Sequence, residues 1–334
     1  MKLSQITNTL LYSLSVVLIL SCSQRSDTAV IKLAHGLDPT HPVHLAMEFM
    51  AERLSEKSSG TMQMDIYPSG QLGAERELIE LLQIGSLAMT KVSASPMESF
   101  VPEMKLFSIP YVFRSEDHLW QMLTGPLGKD ILLAGQDFRL RGLGYYDAGS
   151  RSFYTKENPI YSPADLKGLK IRVMKSQTAV QMVQALGGSA TPISWGELYT
   201  ALQQGVVDGA ENNPPSFYLS KHYEVCKYYS LDEHTSVPDI LLISTVVWKS
   251  LTLQQQGWLQ EAVDESVSYQ RKLWKESTDH ALAEVVKAGV EIIHPSKDEF
   301  QSSVRDMHES YRGTAIYDLI QEIAAMEIVR RSDQ

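Results

Sequence analysis

A permanent positive charge lies within a segment that is otherwise typical of a buried strand. Residues 169–173 read Leu-Lys-Ile-Arg-Val and follow a glycine, a pattern that predicts a short strand entering the protein interior. Burying a charge is unfavourable unless an opposite charge meets it, and arginine, unlike lysine, stays protonated in proteins. Arg172 therefore requires an anion, which is either an acidic side chain of this chain or a bound ligand.

A second arginine, Arg151, lies between a Gly-rich turn and an aromatic pair. Two arginines could bind one carboxylate, each through charge-assisted hydrogen bonds worth about 1.5–3 kcal/mol net. Asn212 offers both a donor and an acceptor to such a ligand, and Trp195 could pack on it or serve as an ordinary core residue. The alternative is that both arginines form structural ion pairs, with Asp165 and Glu211 as candidate partners. The residues alone leave the two interpretations evenly matched.

Residues suited to catalysis or metal binding are present but not in a recognised arrangement. His41 and His44 flank Pro42, close in sequence to His35 and Asp38. Their spacing does not match a helix-borne zinc pair and a proline intervenes, so roles in a loop or helix cap are favoured. The sequence contains no Gly-x-Ser-x-Gly motif and no Gly-rich phosphate loop. It therefore favours binding over catalysis, and predicts no enzyme, no cofactor and no metal.

Composition and charge limit the classes of partner. The chain has 334 residues with a formal net charge of −10 and no long basic run, so nucleic acid and anionic membrane surfaces are poor partners. The length is sufficient for two globular domains. Cys226 has no partner for a disulfide if Cys22 is modified, and it is interpreted as a small buried apolar residue rather than a nucleophile.

The N-terminus has the features of a lipoprotein signal peptide over residues 1–22. Lys2 supplies a positive charge, and the apolar run 10–20 is too short for an ordinary transmembrane helix. Cys22 follows this run and is the expected lipidation site, with a plain secretory signal as the alternative. Residues 23–29 are polar and would form a tether.

Strand and helix patterns alternate along the rest of the chain, which predicts an α/β fold with layered helices. Strands are predicted at 30–35 and 62–67, and another begins with the valine pair that opens 206–213. Residues 194–197, Ser-Trp-Gly-Glu, predict a helix that begins with a capping box. One helix is predicted over 253–288, and at 1.5 Å per residue it would extend about 50 Å, enough to cross two domains.

Five motifs and the long late helix occur in an order that resembles one protein family. The motifs are Tyr-Pro-Ser-Gly-Gln-Leu-Gly at 67–73, Gly-Ser-Arg-Ser-Phe-Tyr at 149–154, Asp-Leu-Lys-Gly-Leu-Lys-Ile-Arg-Val at 165–173, Val-Asp-Gly-Ala-Glu-Asn at 207–212 and Tyr-Glu-Val-Cys-Lys at 223–227. Together they resemble the periplasmic solute-binding proteins of TRAP transporters, the DctP-like family, over essentially the whole mature chain. The resemblance implies two α/β domains, an acidic organic solute in the cleft between them, and a helix that spans both.

The resemblance also implies roles for individual residues. Arg172 matches the arginine that forms a bidentate salt bridge with the solute carboxylate, and Arg151 matches a second arginine that assists it in many members. Asn212 matches an asparagine that contacts the solute carboxylate from the far side. Trp195 matches an aromatic residue that covers the ligand. Glu75 matches a position that contacts polar groups away from the carboxylate.

Departures from the family pattern bear on the ligand. The sialic-acid-binding branch has a glutamate in place of Ser93 and an asparagine in place of Lys175, so sialic acid is disfavoured. The motifs look similar to the branch that binds sugar acids, hexuronates such as D-glucuronate or D-galacturonate. His35, Lys91 and Asp239, with Glu75, would then bind hydroxyl groups. A C4-dicarboxylate is the alternative and would need a second cation, from Lys91 or Lys175.

The resemblance implies domain boundaries and partners. Domain I would comprise 30–148 plus about 237–275, and domain II 149–236 plus about 276–330. The expected partners are the membrane permease subunits of a TRAP transporter and a lipid anchor, with the protein a monomer in the periplasm. A sensory binding lipoprotein and a periplasmic hydrolase or lyase acting on sugar acids are the other classes considered.

Overall fold

The computed structural model describes residues 28–327. The expected signal peptide, lipidated Cys22 and all but the end of the tether lie outside the described residues. Within the described range, no helix is both long enough and apolar enough to cross a membrane.

The strands form two mixed sheets. The strands are β1 (Ala29–Ala34), β2 (Met62–Tyr67), β3 (Met89–Ser93), β4 (Leu140–Tyr146), β5 (Arg151–Thr155), β6 (Lys170–Val173), β7 (Ser189–Pro192), β8 (Gly209–Asn212), β9 (Tyr228–Thr235), β10 (Asp239–Ser244) and β11 (Glu291–Ile293). In the first sheet, sheet A, the order is β2-β1-β3-β10-β4, and in the second, sheet B, it is β11-β9-β5-β8-β6-β7.

Helices cover the sheets and connect the strands. The α-helices are α1 (Pro42–Lys57), α2 (Glu75–Gln83), α3 (Ala94–Met97), α4 (Glu116–Thr124), α5 (Pro126–Leu133), α6 (Gln177–Ala185), α7 (Leu198–Gln203), α8 (Pro214–Leu219), α9 (Thr245–Ser250), α10 (Leu253–Lys287), α11 (Lys297–Ser303), α12 (Arg305–Glu309) and α13 (Ala315–Ala325). Short 3₁₀ helices lie at Pro102–Ser108, Gln136–Phe138, Pro163–Leu166, Trp195–Glu197 and His222–Glu224.

Each sheet is the centre of one lobe. Lobe A contains β1 to β4 and β10, and lobe B contains β5 to β9 and β11. The chain passes between the lobes at residues 147–150, at residues 236–238, along α10 and again before α13, which contacts lobe A. The structure therefore has the mixed α/β, two-domain architecture that the sequence predicts.

Helix α10 connects the two lobes. It is one continuous helix of 35 residues, which confirms the prediction to within a residue at its C-terminus. Leu259 and Val263 pack in the core of lobe A, whereas Val285 packs in the core of lobe B. A helix shared by both cores limits how the lobes can move relative to one another.

The first crossing lies against the same helix. Gly149 has φ +58°, and a Cβ placed on it would lie 3.1 Å from Nε1 of Trp274. Beside it, the backbone N–H of Asp147 donates to Oε1 of Gln270 at 2.8 Å, and Nε2 of Gln270 donates to the Asp147 carbonyl at 2.8 Å. Glycine is required here both for its backbone conformation and for the close approach of the indole.

Three local features differ from the sequence expectations. Ser194 precedes a 3₁₀ turn and its side chain makes no capping hydrogen bond, so the predicted capping box is not formed. The strand expected from Val206 begins only at Gly209. Helix α13, expected within domain II, packs instead against lobe A, where His118 Nε2 lies 3.0 Å from the Ile323 carbonyl.

Candidate ligand-binding site

A cavity of about 500 Å³ lies between the two lobes. On the lobe A side, the cavity is lined by the loop after β2, the start of α2, the end of β3 and the start of β10. On the lobe B side, it is lined by the ends of β6 and β8 and by the turn before α7. All the predicted ligand-binding residues except His35 line the cavity: Glu75, Lys91, Ser93, Arg151, Arg172, Lys175, Trp195, Asn212 and Asp239.

Arg172 is buried at the edge of the cavity without an acidic partner. It lies on β6, parallel to both neighbouring strands, and only 2% of its surface is exposed. Its Nε donates to the Ile193 carbonyl at 2.8 Å, whereas Nη1 and Nη2 make no hydrogen bond or ion pair with residues 28–327. Burial lowers the pKa of Arg172, but an arginine starts so high that it remains charged at neutral pH.

Arg151, unlike Arg172, has an acidic partner, because the carboxylate of Glu211 neutralises its charge. Its Nε and Nη2 both donate to the Glu211 carboxylate, and Nη1 donates to Oδ1 of Asn212 at 2.7 Å. The antiparallel pairing of β5 with β8 places Phe153 opposite Glu211 and so sets this contact. Of the two partners considered from sequence, Glu211 is found, whereas Asp165 accepts hydrogen bonds at the start of its own 3₁₀ helix.

A buried histidine extends this charge network. Nδ1 of His234 lies 2.8 Å from Asp232 Oδ2, and its Nε2 lies 3.6 Å from Glu211 Oε2. Burial acts to lower the pKa of His234, but Asp232 and Glu211 outweigh it and raise the pKa to about 9. Burial likewise acts to raise the pKa of Glu211, but Arg151 and His234 hold it at about 2. Two cations and two anions therefore balance behind the cavity wall.

Trp195 and Lys175 lie on the lobe B side of the cavity. The Arg172 guanidinium carbon is 5.9 Å from the centroid of the Trp195 ring, within the range of a cation–π contact. Lys175 is exposed and forms no ion pair within the described chain. An aromatic face and a free cation are thus both available to a solute bound at Arg172.

The lobe A side carries a compact polar cluster. Lys91 Nζ lies 3.1 Å from Asp239 Oδ2 and 3.7 Å from Glu75 Oε1. Ser93 donates from Oγ to Asp239 Oδ1 and from its backbone N–H to Glu75 Oε1, each at 2.9 Å. Burial raises the pKa of Glu75, and Lys91 opposes that shift. The cluster lies on the opposite lobe from Arg172, across the cavity.

His35 does not line the cavity. It is fully buried, its Nδ1 accepts from the Leu37 backbone N–H at 3.1 Å, and its Nε2 lies 2.9 Å from Nδ1 of His44. Burial, followed by the charge of Lys91, lowers the pKa of His35 to about 2. Both ring nitrogens are occupied within the protein, so a direct contact with the solute has no support from this geometry.

The sequence did not single out several residues that line the cavity. Trp274 follows the apolar stripe of α10, and nothing in that pattern distinguishes it from a core residue. Met174 and Ser216 also line the cavity, and nothing in the sequence around them predicts that position. His41 also lines the cavity, whereas the sequence favoured only a loop or helix-cap role for it. Its Nδ1 accepts from the Val43 N–H at 3.3 Å.

Within residues 28–327, no three histidine, cysteine, aspartate or glutamate side chains are grouped as a metal ion requires. Cys226 is buried, and burial raises the pKa of its thiol to about 12, which disfavours the reactive thiolate. The site therefore presents one unpaired buried guanidinium, an aromatic face and a cluster of hydrogen-bonding groups, which is an arrangement for holding a carboxylate-bearing polar solute.

Comparisons with known proteins identify relatives of this chain. The chain is 38% identical over 318 residues to the uncharacterized protein YiiZ of Salmonella typhimurium, covering 94% of this chain and 96% of that protein. It is similar to a TRAP periplasmic solute-binding protein from a Bradyrhizobium species in complex with α/β-D-galacturonate. That structure has a TM-score of 0.86 and 39% identity, and the match covers 89% of this chain and 99% of the other.

A second solved structure is similar to the same extent. It is a TRAP periplasmic solute-binding protein from Pseudomonas putida with bound D-glucuronate, with a TM-score of 0.87 and 36% identity, and the match covers 91% of this chain and all of the other. The profile of the bacterial extracellular solute-binding proteins, family 7 (DctP), matches residues 33–317. The chain therefore belongs to this family, the DctP family of TRAP solute-binding proteins.

Proposed function

We propose that this protein captures a hexuronate, D-glucuronate or D-galacturonate, and delivers it to a membrane permease. The observation that carries the proposal is Arg172, a buried guanidinium that lines the cavity and has no acidic partner in the described chain. A buried unpaired charge is costly, so the protein keeps it where a ligand supplies the opposite charge. The similar structures with bound galacturonate and glucuronate support a hexuronate as that ligand.

The carboxylate is bound first. A guanidinium presents its donors in a planar fork that matches both oxygens of a carboxylate, and Nη1 and Nη2 of Arg172 are the donors left free. Asn212, at the end of the neighbouring β8, adds a side-chain amide from the same lobe. Trp195 then covers one face of the sugar ring.

Closure of the lobes completes the capture. The crossings at 147–150 and 236–238 allow the lobes to rotate, while α10 keeps both attached to one rigid element. Burying the solute between the lobes excludes water, and hydrogen bonds in such a low-dielectric site are stronger than in water. The closed form is what the permease recognises. No step in this sequence makes or breaks a covalent bond.

The decisive experiment is calorimetric titration of the purified protein with D-glucuronate, D-galacturonate, N-acetylneuraminate and succinate, together with D-glucose as the matched sugar without a carboxylate. We expect a hexuronate to bind most tightly and to raise the melting temperature by mass action. D-glucose should not bind measurably. Binding of D-glucose as tight as that of D-glucuronate, or turnover of the hexuronate into a new product, would contradict the proposal.

One observation favours a second candidate, a C4-dicarboxylate. Lys175 lines the cavity, is exposed and has no ion-pair partner among residues 28–327, so it could receive a second carboxylate. The same titration separates the two ligands, because succinate would then bind more tightly than either hexuronate.

We further propose that the protein is a monomer anchored in the periplasm through a lipid on Cys22. The extracellular solute-binding family supports a location outside the cytoplasm. Radiolabelled palmitate should be incorporated into the wild-type protein and not into the Cys22→Ser variant. Label in both proteins, or in neither, would contradict the anchor. Uptake of labelled hexuronate that depends on the permease separates transport from a sensory role.

A further inference from the structure

Both carboxylate oxygens of Asp239 contact neighbouring side chains. Its Oδ1 accepts from the Ser93 hydroxyl at 2.9 Å, and its Oδ2 lies 3.1 Å from Lys91 Nζ. The antiparallel register of β10 with β3 places Asp239 opposite Ser93 and Leu241 opposite Lys91, which sets both contacts. Asp239 lines the cavity, and each of its carboxylate oxygens has one partner within lobe A, so its contacts hold Ser93 and Lys91 in place.

Lys91 and Glu75 both retain hydrogen-bonding capacity for a group in the cavity. An ammonium carries three N–H donors, and Lys91 directs one to Asp239 and approaches Glu75 Oε1 only at 3.7 Å. Glu75 Oε1 accepts from the Ser93 N–H, while Glu75 Oε2 makes no hydrogen bond or ion pair with the described residues. Side by side in the cavity wall, Lys91 therefore offers a donor and Glu75 an acceptor.

The charges of this cluster do not cancel. One ammonium faces two carboxylates, so the lobe A wall carries a net negative charge, whereas Arg172 on lobe B is an unpaired positive charge. A second carboxylate would meet Lys91 already neutralised by Asp239 and would lie beside Glu75. Like charges brought together in this way are a common source of selectivity against a wrong ligand.

We propose that Asp239 is a positioning residue that holds Lys91 neutralised beside Glu75, so that this pair binds neighbouring hydroxyl groups and rejects a second carboxylate. The inference rests on the proposed hexuronate function and deepens it, because it names the groups that separate sugar acids from dicarboxylates. Two adjacent hydroxyls of a sugar ring can accept from Lys91 and donate to Glu75, whereas a carboxylate can only accept.

The test compares Asp239→Asn with the wild type by titration with D-glucuronate and succinate. Asparagine keeps the shape and can retain a hydrogen bond to Ser93, but it leaves Lys91 with Glu75 as its remaining carboxylate neighbour, so the net negative charge of the cluster is lost. Affinity for succinate should rise about tenfold while affinity for D-glucuronate falls by about the same factor, each a change of roughly 1.4 kcal/mol. Asp65→Asn, at an exposed position of lobe A, is the matched control and should change neither.

A second variant keeps the test decisive if Asp239→Asn folds poorly. Glu75→Gln removes the repelling charge from the partly exposed end of α2 and should also raise succinate affinity relative to that of D-glucuronate. A parallel loss of both affinities, or an unchanged ratio in both variants, would mean that Asp239 serves the structure only and would overturn the inference. Failure of the proposed function would be seen separately, as a wild-type protein that binds no hexuronate.

Discussion

Nη1 of Arg151 lies 2.7 Å from Oδ1 of Asn212, and the backbone N–H of Asn213 donates to the same oxygen at 2.9 Å. Both lone pairs of that oxygen are used, so the amide is fixed with its NH₂ group as the part left for a ligand. Because the charge of Arg151 is neutralised by Glu211, we infer that the two arginines have different tasks. We propose that Arg172 binds the carboxylate and that Arg151 orients Asn212.

Asn212→Asp should abolish tight binding of the hexuronate. The substitution replaces the NH₂ donor with a second carboxylate oxygen that faces the solute carboxylate. Like-charge contact at an interface costs several kcal/mol, so affinity should fall by at least about 100-fold. Titration calorimetry measures the change, and Asn158→Asp at an exposed loop position is the matched control. Retention of wild-type affinity would show that Asn212 does not donate to the ligand.

Arg172→Lys should weaken binding even though the charge is kept. Lysine replaces a planar fork by a single point donor, and it also loses the hydrogen bond from Nε to the Ile193 carbonyl. Hydrogen bonds to charged groups are worth about 1.5–3 kcal/mol, so we expect the dissociation constant to rise by about 10- to 100-fold. Arg312→Lys, at an exposed ion pair with Glu309, should leave binding unchanged. Equal affinities in the wild type and Arg172→Lys would remove the basis of the proposed function.

Glu211→Gln should destabilise the fold rather than act on the ligand alone. It leaves Arg151 and His234 as buried charges with reduced compensation, and breaking a buried pair from one side costs about 3–5 kcal/mol. Urea unfolding measures the loss in the free energy of unfolding. Glu309→Gln removes an exposed pair and should cost no more than about 1 kcal/mol. Equal losses in the two variants would contradict the importance assigned to the buried network.

Local sequence patterns were sufficient to predict most of the strands and helices. Strand β2 is found at Met62–Tyr67 and helix α10 ends one residue before the prediction, because alternation and an apolar stripe are read directly from neighbouring residues. The capping box at Ser194 failed because the chain there forms a 3₁₀ turn whose residues line the cavity. A short sequence motif does not show that the side chains of this turn line a cavity.

The sequence predicted those site residues whose own type and position require a binding partner. It could not predict which acidic residue pairs with an arginine where the register of two strands decides that choice. A charge in a strand was enough to single out Arg172. The choice between Asp165 and Glu211 for Arg151 depends on the pairing of β5 with β8, which no local pattern contains. His35 was expected to bind a solute hydroxyl because of the resemblance to the sugar-acid-binding branch, but its ring lies against His44 instead.

The stability of the protein should fall between pH 6.5 and pH 9 because of His234. Its folded-state pKa of about 9 lies above the ordinary value of 6.5, so its contribution is fully present below pH 6.5 and is lost as the pH rises through 9. A shift of this size corresponds to about 3 kcal/mol at most. Urea unfolding at pH 6 and pH 9.5 should show the difference in stability between the wild type and His234→Gln shrinking toward alkaline pH. His294→Gln, at an exposed position, should show no such change. A difference that stays constant across this range would mean that His234 is not charged in the folded protein.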